Sequence, residues 1–198
     1  MNKYYTLFFS LFFLSISSQN DLEKIKDKYQ SINSYNLNYN LVISTLKENN
    51  TVNLIEESGI MYGNNSSFMI KHKNMDIISD GKKIYNVIHN IREINITEYS
   101  NNNLWNPINI FKNLLNRLNS STISYDKDYI LVEFLISDLN KVYKFFLDRN
   151  YDVFKLELIT SESKSKTTVF LKDLIFTEKT YNIIFDHSNY ENYYLNKL

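Results

Sequence analysis

The chain has 198 residues with 22 basic and 22 acidic side chains, and it lacks the clustered basic excess of a nucleic-acid surface. It contains no cysteine, which excludes disulfide staples and thiolate metal sites and leaves the fold to stand on its core. It also contains no alanine, while Asn, Ile, Lys and Tyr, the residues of AT-rich codons, dominate. Runs such as Asn101 to Asn103 therefore say little about function or disorder, and the three glycines and one proline stand out.

In chain order, Lys3 is the only charged residue before Asp21. Tyr4 to Ile16 is an apolar run broken by Thr6, Ser10 and Ser15, and Ser17 and Ser18 follow. A positive start, a short apolar stretch and small residues predict a secretory signal peptide cleaved after Ser17 or Ser18. The run is shorter than the roughly 20 apolar residues of a membrane span, which makes an uncleaved anchor the weaker alternative. The expected organisation is a signal peptide at 1–18 and one exported domain at 19–198. Removal of Lys3 leaves 21 basic against 22 acidic residues, a net charge of −1. No cysteine follows the signal, so the exported domain has no lipidated N-terminus there.

Leu22, Ile25, Tyr29 and Ile32 recur at helical spacing behind Asn20 or Asp21 as N-cap, predicting an amphipathic helix over 21–32. Tyr35, Leu37, Tyr39, Leu41 and Ile43 then alternate with polar residues, a strand pattern. Further strands are expected at Val52–Tyr62, Ser67–Lys71, Met75–Ser79, Ile84–Ile88 and Ile91–Tyr99, with a hairpin at Asp80-Gly81. Asn106-Pro107 opens a second helix whose apolar stripe is Ile108, Phe111, Leu114, Leu115 and Leu118. Strands resume at Thr122–Tyr125, Tyr129–Ser137, Val142–Leu147, Val153–Thr160 and Lys166–Phe176, with Asp or Asn at most turns. Tyr181–Phe185 reads as a last short strand before a polar tail. Hairpin-length links predict antiparallel pairing, and a meander of this size must curl, close or split.

The chemistry of catalysis is not written in this chain. His72, His89 and His187 do not have metal-ligand spacing, and neither a nucleophile elbow nor a phosphate-binding loop is present. Asp126, Asp128 and Asp138 lack the spacing of a calcium loop. Asp80 beside Gly81 reads as a turn residue. Aromatic side chains are the prominent feature, with 16 Tyr and 13 Phe. Ile60, Tyr62, Phe68, Ile70 and Ile77 are expected to face inward and to meet Phe111 and Leu114 from the helix. Periodicity does not distinguish a filled interior from a hollow one.

The stretch from Gly59 to Leu115 carries a resemblance. Gly59, Phe68, the turn Ile78-Ser79-Asp80-Gly81-Lys82, then Tyr85, and later a helix led by Pro107, resemble the LolA family of periplasmic lipoprotein carriers. The ending FDHSNYENYYLNKL resembles that family's tail. The resemblance implies a mainly β (α+β) fold: a highly curved antiparallel sheet forming an incomplete β-barrel of about 11 strands, with helices as a lid over its concave face. It implies a monomeric, cofactor-free, non-enzymatic periplasmic carrier. Its partners would be acylated lipoproteins as cargo, an inner-membrane lipoprotein exporter and an outer-membrane acceptor. The lipid-binding residues carried over are Tyr62, Phe68, Ile70, Ile77 and Tyr85 from strands, with Ile110, Phe111 and Leu114 from the helix. The chain departs from the family at Asn64-Asn65-Ser66, where many members have an arginine that ties the lid shut. Two other readings are a periplasmic protein-interaction or sensory domain of the same shape without lipid cargo, and a secreted hydrolase.

Overall fold

The computed structural model describes residues 20–47, 50–99, 106–117, 121–160 and 165–197. The signal peptide expected at 1–18 and the helical position expected at Leu118 lie outside them. Helix α1 occupies 20–30 and leads into two long strands, β1 (Ser34–Lys47) and β2 (Asn50–Asn64). Four short strands follow: β3 (Phe68–Lys71), β4 (Met75–Ser79), β5 (Lys83–Ile88) and β6 (Glu93–Glu98). Helix α2 (Pro107–Leu115) separates these from β7 (Ser121–Tyr125), β8 (Ile130–Ile136), β9 (Lys141–Leu147), β10 (Val153–Thr160) and β11 (Ser165–Thr177). The chain closes with β12 (Tyr194–Lys197).

The 12 strands of the described residues belong to one curved, unclosed sheet in the order β12-β6-β5-β4-β3-β2-β1-β11-β10-β9-β8-β7. The first strand is thus the spine, pairing β2 on one side and β11 on the other. Two meanders of hairpins run outward from it. Irregularities sit in both of its ladders, between Asn36 and Asn38 against β11 and between Ile43 and Ser44 against β2. Such extra residues bend a strand and increase its twist, so the curvature is built into the central strands. At the first, Asp173 adopts a positive φ of 51° and accepts a hydrogen bond from the Asn38 side-chain amide at 2.9 Å.

The glycines of β2 set how closely the central strands carry their large side chains. Tyr39 lies opposite Gly59, and Tyr35 opposite Gly63, on the concave face. A Cβ at Gly59 would meet the Lys71 carbonyl and would stand 2.5 Å from the Tyr39 hydroxyl. At Gly63 it would stand 2.8 Å from Phe68 Cβ and 3.0 Å from the Tyr35 hydroxyl. Both glycines therefore make room for a tyrosine ring from the neighbouring strand. Gly81 serves differently. Its φ of +86° turns β4 into β5, where Asp80 Oδ1 accepts from the backbone N–H groups of Lys82 and Lys83, each at 2.8 Å.

Each face of the sheet has its own cover. On the concave side, α1 and α2 pack against the inward residues of nearly every strand. On the other side, the segment after β11 crosses β4 to β6 and buries Ile183 and Phe185 over Ile78, Val87, Ile94 and Ile96. This corrects the strand expected at Tyr181–Phe185, which is extended but not paired in the sheet. Its alternation is real, because Ile183 and Phe185 are buried. The alternation seats a strap on the sheet face instead of adding a strand to an edge. The expected polar tail instead contains β12, which joins β6 in parallel. The strand expected from Ile91 begins at Glu93, because Arg92 takes a positive φ of 52°.

Gly59→Val should lower the unfolding free energy by about 1–3 kcal/mol, the usual cost of overpacking, read as a lower urea midpoint with an unchanged slope. An unchanged midpoint would show that Tyr39 does not need the space.

Candidate functional site

The concave face is roofed by two amphipathic helices. Helix α1 turns Ile25 and Tyr29 fully inward. The Tyr29 hydroxyl accepts from the Val153 N–H at 2.9 Å and donates to the Tyr151 carbonyl at 3.2 Å, which satisfies it in a buried position. Burial raises the Tyr29 pKa, so the phenol stays neutral. Lys28 reaches Asp152 at 2.7 Å and the Asn150 carbonyl at 2.8 Å, fixing α1 to the turn between β9 and β10.

Helix α2 starts where the sequence signals it. The Asn106 side chain caps it, accepting from the Asn109 N–H at 3.1 Å, and Pro107 takes the first helical position. Phe111 is its anchor. It stacks on Phe145 with ring centroids 4.2 Å apart and meets Tyr29 edge-on at 4.8 Å. The side chains that tie α2 down are not an arginine. Asn109 donates to the Asn65 carbonyl at 3.1 Å, while the Lys112 ammonium donates to the Asn65 side chain and to the Ile32 carbonyl. Gln30 joins the two helices through Asn116 at 2.8 Å. Partial burial lowers the Lys112 pKa, the mark of an ammonium drawn out of water to reach these oxygens.

Phe111, Leu114 and Leu115 fill one half of the space under the roof. The other half contains a cavity of about 270 Å³. Tyr39, Leu41 and Ile43 of β1 form its floor, flanked by Met61 of β2 and Ile70 of β3. Tyr143 of β9, Leu156 and Leu158 of β10, and Thr167 and Val169 of β11 make the far wall. Pro107 and Ile110 border it from the helix, and His72 stands at one side. The floor from Tyr39 to Ile43 spans about 14 Å at the usual strand rise.

Polar atoms are few in this lining, and they cluster. The Tyr39 hydroxyl lies 2.7 Å from His72 Nε2 and 2.9 Å from Nδ1, and Glu57 Oε2 lies 3.3 Å from Nδ1. Burial pushes the His72 pKa down, against the opposing charges of Glu57 and Asp76. Burial and then Glu57 push the Tyr39 pKa up. Both rings are therefore neutral near pH 7. Asp80 is elsewhere: burial would raise its pKa, but hydrogen bonds led by the Lys83 and Lys82 N–H groups hold it below the ordinary range, as befits a turn residue. Among the described residues, no cluster of three or more His, Asp or Glu is arranged to hold a metal.

The residues singled out from the sequence fall into three places. Ile70 and Ile110 line the cavity. Phe68, Ile77, Phe111 and Leu114 are buried in the packed core beside it. Tyr62 and Tyr85 are on the opposite face: Tyr85 stacks on Phe185 at 4.0 Å, and Tyr62 leans on Tyr181 at 5.2 Å. Ile60, also expected inward, is 51% exposed. In the run Gly59-Ile60-Met61-Tyr62-Gly63, the inward set is Gly59, Met61 and Gly63, because those are the partners of Tyr39, Leu37 and Tyr35. The sequence already carried the floor, in the alternation of Tyr39, Leu41 and Ile43. The far wall had no separate signal, since Leu156, Leu158 and Val169 read as ordinary core.

No protein-family model matches the chain, and no curated protein matches it significantly. Among solved structures, an uncharacterised conserved protein from Thermus thermophilus matches with a TM-score of 0.53 at 5% identity, covering 91% of this chain and 99% of that one. A putative outer membrane lipoprotein-sorting protein domain from Vibrio parahaemolyticus matches with a TM-score of 0.40 at 8% identity, covering 81% and 93%. LprF from Mycobacterium bovis matches with a TM-score of 0.45 at 8% identity, covering 85% and 98%. The Thermus likeness shows a shared fold along almost the whole of both chains. The open β-barrel with a helical lid implied by the LolA resemblance is the fold this chain has.

Lys112→Met should loosen the roof at its Asn65 end. Amide hydrogen exchange across α2 should accelerate about tenfold, the scale of a lost charge-assisted hydrogen bond, while exchange in β8 and β9 stays unchanged. Unaltered protection of α2 would show that Phe111 alone holds it.

Proposed function

We propose that this chain is an extracytoplasmic carrier that shelters acyl chains of lipoproteins in the cavity beneath α2 and ferries them from the inner to the outer membrane. The supporting observation is the cavity itself: about 270 Å³ of space walled mainly by apolar side chains and bordered by a helix. A space of this size is near the lower end of ligand pockets, roughly 300–1,000 Å³, so it suits one acyl chain with the roof as described. A multiply acylated cargo would require α2 to lift. The residues around the space meet the needs of a shuttle. Each CH₂ withdrawn from water contributes about 0.8 kcal/mol, and non-directional aliphatic contacts give that energy back without a specific bond to break.

Location and partners belong to the same reading. The N-terminal sequence has the pattern of a cleaved export signal, which supports a periplasmic position, with an inner-membrane exporter loading the carrier and an outer-membrane acceptor unloading it. Among the described residues, no helix is long and apolar enough to cross a membrane. The reading is of a monomeric carrier without enzymatic activity.

An uncharged naphthylamine dye that brightens in apolar surroundings tests the cavity directly. The delipidated protein should take up the dye, and added acyl chains should displace it. Val169→Trp, which fills the far wall, should reduce dye uptake at least tenfold while the far-ultraviolet circular dichroism stays native. Failure of the wild-type protein to bind either dye or acyl chains would remove the carrier reading and favour a domain that binds a protein partner.

A further inference from the structure

The acyl-binding reading leaves one feature of the cavity unexplained, the polar set at its side. The Tyr39 ring lies across Gly59 and places its hydroxyl against the edge of the His72 ring, with Glu57 beyond. The His72 side chain is only 6% exposed, whereas Glu57 is 50% exposed, so the set runs from solvent to the cavity wall. A cavity meant only for hydrocarbon has no use for these atoms, and an apolar pair of side chains would avoid the desolvation they cost.

The hydrogen-bond roles follow from the inventory of each group. An ionised carboxylate only accepts, so the His72 nitrogen facing Glu57, Nδ1, carries the proton. Nε2 then holds the lone pair, and the Tyr39 O–H donates to it. The Tyr39 hydroxyl then has no hydrogen left to give, and its oxygen, 2.9 Å from Nδ1, can only accept from a ligand in the cavity that Tyr39 lines. The set therefore fits a group that donates a hydrogen bond. It does not fit an anion, which would bring no donor and would sit on the same side chains as the Glu57 carboxylate, a like charge. The Tyr39 phenol is no nucleophile in this setting, since burial and Glu57 both hold it protonated.

We propose that Tyr39, His72 and Glu57 form a head-group site, so that the cavity selects a single-chain amphiphile whose uncharged head donates a hydrogen bond, an acylglycerol hydroxyl or an N-acyl amide, over the fatty-acid anion of equal chain length. The proposal rests on the acyl-binding reading and adds a preference to it. The two donor heads share one chemistry, and the set accepts from either.

The test is competition with the naphthylamine dye at pH 7.5 by a monoacylglycerol, an N-acyl ethanolamide and a fatty acid of the same chain length. The wild-type protein should bind the two neutral amphiphiles roughly tenfold more tightly than the acid. A preference confined to one of them identifies which head the site reads. Tyr39→Phe should bring the three affinities together, each read against that variant's own affinity for the dye. Glu57→Gln, at a half-exposed position, should narrow the gap between the acid and the neutral ligands by strengthening binding of the acid. It keeps the inference testable if Tyr39→Phe fails to fold. Equal affinities in the wild-type protein, with dye bound, would overturn the head-group site and leave the cavity reading standing. Absence of both dye and amphiphile binding would overturn the cavity reading and this inference with it.

Discussion

The structure depends on how β1 is seated against β2. Two tyrosines of β1 project onto the concave face, and each is accommodated by a glycine directly across the ladder. A chain with only three glycines spends two of them here. The reason is volume: a ring that must lie flat across its neighbour needs that neighbour to have no side chain. This seating fixes the register of the two longest strands. A slip of one residue would send the whole inward set to the outside. It also directs Tyr39 toward His72, which is how a sheet contact becomes part of a cavity wall.

From that spine the rest of the architecture divides into a filled half and an open half. Phe111 brings the aromatic rings of Tyr29, Phe134 and Phe145 together under the roof. Edge and offset arrangements of this kind add to what area burial alone contributes. Pro107 and Ile110, on the same short helix, face space instead. One helix is thus anchored at its centre and serves as a cover at its start. The polar ties at Asn65 are few and partly exposed, the condition for a cover that can open without melting the core. The outer face obeys another logic. There, Phe185 stacks between Tyr85 and Tyr190, so the aromatic strap shields β4 to β6 and leaves the cavity side untouched.

Much of this is legible in the sequence, and the failures are instructive. Period-two alternation bounded by Asn, Asp and Gly locates β1 to β11, with the start of β6 two residues early, because both signals arise from the same pleat and the same turns. The helix at Pro107 is legible from its cap alone. The parallel strand β12 is not: its four residues lie at a sheet edge with three of them exposed, so no alternation is required of them. Tyr181 to Phe185 shows the converse, a correct alternation that buries Ile183 and Phe185 on a sheet face without joining a ladder. For the cavity, composition is silent where geometry decides. Tyr62 and Met61 are equally plausible inward residues until the glycines fix the face, and Leu156 or Val169 look the same whether they touch a neighbour or an empty space.

The central claim is that the space beneath α2 holds an acyl chain. Its most direct test is nuclear Overhauser contact between the terminal methyl of a ¹³C-labelled acyl ligand and labelled methyl groups of the protein. The account predicts contacts to Ile70, Leu158 and Val169, and none to Ile183 or Ile184 on the outer face. Contacts to the outer face alone, or none to the cavity residues in a saturated complex, would contradict it.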